Sequence, residues 1–329
     1  MAQYTKKWLS VEEQLAKLEL NGVLIGDREA GIQLLRAVGY YRLTGYLYPF
    51  RDSRFVYEAD GRERVQVLNT YRRGTSLEHA RKLIDFDRAL RILVLDGIER
   101  IEISLRMQLG YVLGRKSPFV HLDATQFVSS FTTSEAEAGG VIWPSKHEVL
   151  ITRTRERQSS SDESFVAHFR QKYDDQMPVW ELTEIMEFGH LSRMYGGLQN
   201  STGTEIAMTY GVPSKRIMAS WIASLNYVRN VSAHHARLFN RKLVFAPKRP
   251  ALGQIPLLDH LKEEESSKQV FGLYNVIAIM AYLLRSIDPE CDWSEKMIEL
   301  INGFPSSSSL TVDSLGMPAN WFDLALWAK

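Results

Sequence analysis

From Leu77 to about Leu113 the apolar residues Leu83, Leu90, Val94, Ile98, Ile101 and Leu105 recur at helical intervals. That spacing puts them on one face of a single long helix. Such a helix cannot bury its apolar face alone, so the segment predicts a bundle assembled around it. Thr75 and Glu78 supply a capping box at its start. Its polar side carries Asp87, Arg91, Glu99, Glu102 and Arg106, and Arg106 follows Glu102 by one turn, the favourable order for an ion pair.

The flanking sequence extends the helical pattern, and the chain reads as all-α. Ser10 and Glu13 form a capping box for a helix ending near Leu20, and Asp27 caps a second that reaches about Val38. Gly39 to Phe50 is an aromatic cluster with interleaved Arg42, read as a packed joint between helices, with base stacking as the alternative. Arg51, Arg54, Arg62, Arg64, Arg72 and Arg73 follow. They either track an RNA backbone or make a solvated surface balanced by Asp52, Glu58, Asp60 and Glu63, with a short strand pair or irregular loop around Val65 to Leu68. Ser129 to Gly140 and Gln158 to Ser164 read as loops, the second preceded by alternating Arg153, Arg155 and Arg157. Phe165 to Tyr173 reads as a short helix. Pro178 opens another, with Trp180, Ile185, Phe188, Leu191 and Tyr195 on its apolar side and Glu181, Glu184 and Glu187 on a shared acidic face. Lys242 to Pro256 is a basic, proline-containing connector. Helices from about Ser267 to Ser286 and from Trp293 to Ile301 complete the pattern. We divide the chain into an extension over 1–74, a core over 75–286 and a cap over 287–329.

A net charge of +1 gives no global basic field, so any nucleic-acid surface must come from local clustering. One cysteine, Cys291, excludes an intramolecular disulfide and a cysteine-based zinc cluster. The N-terminus lacks the apolar run of a signal peptide, and the most apolar segment, Val270 to Leu284, is too short to span a bilayer. These features predict a cytoplasmic protein that makes no membrane contact. No nucleotide-binding fingerprint, metal-ligand set or other cofactor signature is present.

The densest chemistry lies between Arg229 and Arg241. Pro213 and Ser214 start a helix whose Trp221, Leu225 and Val228 form an apolar stripe. If the helix continued unbroken, Tyr227, Asn230, His234, Arg237 and Arg241 would align on its other side. An imidazole titrating near neutral pH can act as acid or base, and guanidiniums bind phosphate in a fork. Such a set suits RNA cleavage, with Asn230 one turn before His234 and able to hold its ring. His235, about 100° further round, turns toward the apolar row, so His234 is the favoured reactive group. The bland alternative is a set of basic residues complementing a helix C-terminus. Arg229 and His234 lie roughly 140° apart on an ideal helix. Either the Arg side chain sweeps round, the helix bends near Ser232, or a second subunit completes the site.

Arg229-Asn230-Val231-Ser232-Ala233-His234 resembles the Arg-x4-6-His motif of the HEPN superfamily of helical ribonucleases. The longer string Val228 to Asn240 resembles the Abi-like (AbiD/AbiF) abortive-infection branch. Further similar landmarks are Gly39 to Phe50, Phe86 to Glu102, the Trp180 to Ser192 pattern and the tail around Leu315 to Trp321. The resemblance implies a HEPN-type helical bundle with N- and C-terminal helical additions. It implies a toxin of antiphage defence that cleaves RNA without metal and leaves a 2′,3′-cyclic phosphate. Arg229, Asn230 and His234 would be catalytic, and His235, Arg237 and Arg241 would support or touch RNA. Glu99 or Glu102 would contact the motif arginine from a neighbouring helix. A homodimer sharing a composite site, and a small noncoding RNA as regulator, are the implied partners. Two rival readings are a non-catalytic RNA-binding module on the same scaffold and a helical sensor of a phage protein.

Overall fold

In the computed structural model, which describes residues 5, 7–58, 60–136, 142–262 and 272–328, the long pattern is one helix, Leu77–Gly114 (here α4). Its N-cap is Ser76, whose hydroxyl accepts the His79 N–H at 3.2 Å; Thr75 instead donates to the Arg72 carbonyl at 2.7 Å. The cap therefore falls one residue later than the Thr75–Glu78 spacing predicts. Before α4 come α1 (Val11–Leu20), α2 (Arg28–Val38) and α3 (Tyr40–Leu47). The Ser10–Glu13 box and the Asp27 cap form as expected, with Asp27 accepting from the Glu29 and Ala30 N–H groups.

The chain is mostly helical but not all-α. Arg51–Tyr57 (β1) and Glu63–Tyr71 (β2) form an antiparallel hairpin in which Phe55 faces Val65 and Ser53 faces Val67. Its alternating aromatic and β-branched residues favour strand over helix. The base of the hairpin is tied down: Tyr71 N–H reaches the Asn21 carbonyl and Arg72 N–H reaches the Phe50 carbonyl, both at 2.9 Å. A second correction lies in the predicted loop at 129–140. Ser129–Thr132 (α5) is helical, and Glu135–Ala136 (β3) pairs with Ile142–Trp143 (β4). Residues 137–140 lie outside the described residues.

Downstream run α6 (Lys146–Ser159), α7 (Ser164–Lys172), α8 (Val179–Ile185), α9 (Phe188–Gly197), α10 (Asn200–Thr209) and α11 (Lys215–Ala233). The described C-terminal helices are α12 (Tyr274–Ile287) and α13 (Trp293–Asn302). Residues 267–271 of the predicted helix there lie outside the described residues. Helices α8, α9, α10, α11, α12 and α13 all pack on α4. Close approach needs glycine at two points. A Cβ on Gly97 would sit 2.6 Å from Trp293 Nε1, and one on Gly110 would sit 2.9 Å from the Trp180 backbone. The Trp293 indole N–H donates to the Leu93 carbonyl at 2.8 Å, fixing α13 to the middle of α4. One hydrophobic cluster runs from Leu15 to Trp327. A smaller one joins Val166, Met177, Leu182 and Ile185 beneath α7 and α8. Among the described residues no helix is long and apolar enough to cross a membrane.

Candidate functional site

The Ser214 cap and the buried stripe of Trp221, Ile222, Leu225 and Val228 make α11 as the sequence predicts, but the helix stops at Ala233. His234 is its C-cap and His235 takes a left-handed conformation with φ of 56°. The His235 N–H bonds the Ser232 carbonyl at 3.1 Å and the Ala236 N–H bonds the Val231 carbonyl at 3.0 Å. This pair of bonds closes a helix around a left-handed residue, a position where glycine is usual. The predicted row from Tyr227 to Arg241 is therefore cut in the middle. His235 is exposed and does not turn toward the apolar row.

His234 still makes the helical bond to the Asn230 carbonyl, so the stop leaves its angle to Arg229 as the sequence predicts, and the two side chains reach a common space by their length. Arg229, Asn230 and His234 all line one polar cleft of about 840 Å³. Its other walls come from Glu102 and Arg106 on α4, Arg157 on α6, Glu163 and Phe165 at α7, and Glu184 to Glu187 at the end of α8. The Arg229 Nη1 donates to Asn230 Oδ1 at 3.3 Å, so the Asn230 side chain orients the arginine. The Asn230 contact to His234 is through the backbone, His234 N–H to the Asn230 carbonyl at 3.0 Å. The His234 ring is exposed and has no hydrogen-bond partner among the described residues.

Two arginines build the far wall. Pro178 predicts one continuous helix through Tyr195, but the chain breaks at Met186 and Glu187 into extended backbone. Helix ends leave carbonyls without partners. Here Arg106 Nη2 takes the Met186 carbonyl at 3.1 Å and Arg157 Nε takes the Ile185 carbonyl at 3.3 Å. Arg106 also holds Glu102 at 2.6 Å, the ion pair that the spacing predicts. Glu184 and Glu187 enter the cleft because of this break; their even spacing on a presumed single helix gives no hint of it.

Arg237 and Arg241 are not brought to the cleft. Beyond His235 the chain is drawn into the core by Asp87 of α4, a carboxylate with no exposed surface. Asp87 Oδ1 accepts the Leu238 N–H at 3.0 Å and the Phe239 N–H at 2.6 Å. Its Oδ2 accepts the Tyr46 hydroxyl at 2.6 Å and pairs with Arg91. Burial, then the neighbouring carboxylate, pushes the Tyr46 phenol up to about 12. Arg237 donates to the Gly45 carbonyl and sits 5.8 Å over the Phe239 ring; burial pulls its guanidinium below its ordinary value. Arg241 Nε donates to the Arg237 carbonyl at 2.7 Å. Both arginines brace the turn through backbone carbonyls and lie outside the cleft. Glu99 is exposed on α4 and does not line the cleft, whereas Glu102 does.

Sequence reasoning missed the role of Asp87. The signal was present, since Asp87 interrupts the apolar row between Leu83 and Leu90 and so occupies a core-facing position. A separate cavity of about 650 Å³ uses other residues of α6, with Phe119, His121, Thr154 and Gln158 in its lining. Burial, then nearby His147 and Arg155, pulls the His121 ring down to about 4.

The model of one protein family, described as Abi-like protein, matches residues 33–240. The chain belongs to the Abi-like family. The matched span begins within α2 and ends at Asn240, just past the Asp87 grip, so it contains every residue lining the cleft and the Asp87 network, with Arg241 one residue beyond it. No curated protein and no solved structure matches the chain. Membership in the Abi-like family suggests a role in abortive infection, a defence against phage.

Proposed function

We propose that this Abi-like protein is a HEPN-type endoribonuclease toxin of the cytosol that cleaves RNA by metal-independent acid–base chemistry. The observation that carries the reading is the convergence of Arg229 and His234 on one cleft from the end of one helix. Arg106 is neutralised by Glu102. Arg157 and Arg229 have no carboxylate partner among the described residues, which leaves two guanidiniums for a phosphate. Neutral His234 takes the proton from a ribose 2′-hydroxyl. The freed oxygen attacks the adjacent phosphorus and the bond to the 5′-oxygen breaks. That oxygen leaves with a proton from water, and the products are a 2′,3′-cyclic phosphate and a 5′-hydroxyl end. Arg229, aligned by Asn230, stabilises the charge that builds on the phosphate. The homodimer and the small RNA regulator belong to the proposal, and solution mass with and without bound nucleic acid tests both.

The deciding experiment is cleavage of a labelled RNA pool with chelator present, comparing wild type, His234→Ala and His235→Ala and mapping product ends. Cyclic-phosphate ends lost only in His234→Ala are expected. Activity that disappears with chelator would end the metal-free mechanism. Equal RNA binding by all three without cleavage would replace the enzyme by a binding module.

A further inference from the structure

Beside the cleft, α6 packs against α9. Arg157 lines the cleft, and Arg153 lies one turn back along the same face of α6. On α9, Glu187 at the cleft wall, His190 and Arg193 succeed one another at three-residue intervals and so share a face leading away from the cleft. Arg153, Arg157 and Arg193 are all exposed. None has a carboxylate within ion-pair distance among the described residues. The His190 ring lies among them, with a buried Nδ1 that has no partner among the described residues. Burial lowers its proton affinity; Glu187 opposes this, while Arg193, Arg153 and Arg157 all add to it, so three positive charges converge on one spot. On the other flank of α9, Asn226 of α11 lies alongside Gly189, one turn before Asn230.

Unpaired exposed guanidiniums repel one another, and three on a common surface are stabilised by an anion that spans them. Four residues, about 6 Å along the axis, separate the arginines of α6, a step that suits neighbouring phosphates of an extended strand. We infer that Arg157, Arg153 and Arg193 form a phosphate-binding row that carries single-stranded RNA out of the cleft. The substrate then extends at least two phosphates beyond the one cut. This inference rests on the ribonuclease reading of the cleft and specifies its substrate as a strand rather than a dinucleotide.

The test uses the full chain and the double variant Arg153→Ala/Arg193→Ala. Three probes are compared: a dinucleotide, an RNA decamer containing the same cleavage step, and an uncleavable DNA decamer. For the RNA decamer KM rises about tenfold while kcat stays within about twofold, and dinucleotide cleavage, which does not reach the row, follows wild type. For the DNA decamer the slope of log affinity against log salt falls by about 1.4, or roughly 0.7 for each lost phosphate contact on a single strand. An unchanged KM and salt slope would overturn the row, as would parallel losses on the dinucleotide and the decamer. If wild type cuts neither RNA, the ribonuclease reading fails and the salt slope on the DNA decamer still decides the row.

Discussion

Arg229 and Arg237 stand eight residues apart in one motif, and the fold sends them to opposite fates. Arg229 faces an open polar cleft and, among the described residues, bonds only its neighbour Asn230. Arg237 is packed over Phe239 against the Gly45 carbonyl, beside the buried pair that Asp87 makes with Arg91. The first region leaves charge available for a ligand, and the second spends charge on holding the chain. Residue type alone does not separate the two roles; the state of satisfaction does.

The largest effect expected from breaking this contrast is at Asp87. Asp87→Ala leaves Arg91 buried without its counterion and strips the Leu238 and Phe239 N–H groups of their acceptor. Unfolding in denaturant is expected to show a loss of about 3–5 kcal/mol, with activity falling as the cleft loosens. His121 extends the contrast to a buried titratable group without a counter-charge. Unfolded, its ring takes up a proton near pH 6.5; folded, it does so at about 4. Between those values the unfolded chain binds the extra proton, so stability drops as the pH falls, by up to about 3 kcal/mol. His121→Leu is expected to flatten that part of the stability profile, and an unchanged profile would show that another group titrates there.

Arg229→Ala is the reciprocal of the Asp87 change. Cleavage is expected to fall about a hundredfold, while stability moves by less than about 0.5 kcal/mol; a large stability loss would place Arg229 with Arg237 as a structural group. Arg237→Ala is expected to cost about 1–3 kcal/mol, because the Gly45 carbonyl and the Phe239 ring lose their cover. RNA affinity at a temperature where the variant stays folded is expected to hold. The smallest effect lies at the junction of the two regions. His235→Gly relieves a left-handed backbone that a side chain resists, for a gain of about 0.5–1 kcal/mol in thermal unfolding with cleavage retained.

Local chemistry made much of this fold legible. The caps at Ser10, Asp27 and Ser214 act on groups within three residues, and the apolar period of α4 needs no distant partner. The same locality explains the errors. Thr75 and Ser76 both have a hydroxyl near the first turn, and spacing does not choose between them. The α11 stop has neither glycine nor proline to announce it. Part of its cause is Asp87, 151 residues away in sequence, capturing Leu238 and Phe239. The α8 break likewise depends on Arg106 and Arg157, which arrive from other helices to take its loose carbonyls. Arg229, Asn230 and His234 could be named from the sequence, but a wall of the cleft they line comes from the α8 break, whose carbonyls remote arginines take up.

The Asp87 grip also bears on when the site comes into being. A chain emerging from the ribosome displays Tyr46, Asp87 and Arg91 long before Leu238 and Phe239 are made. Until those two N–H groups arrive, nothing on α4 can seat the turn that follows α11, and closing so long a loop is itself slow. A nascent or truncated chain ending before Phe239 therefore has the motif residues but leaves the turn that follows them unseated. For a protein whose proposed activity is toxic to its own cell, anchoring of the motif's end is deferred until that residue has been made.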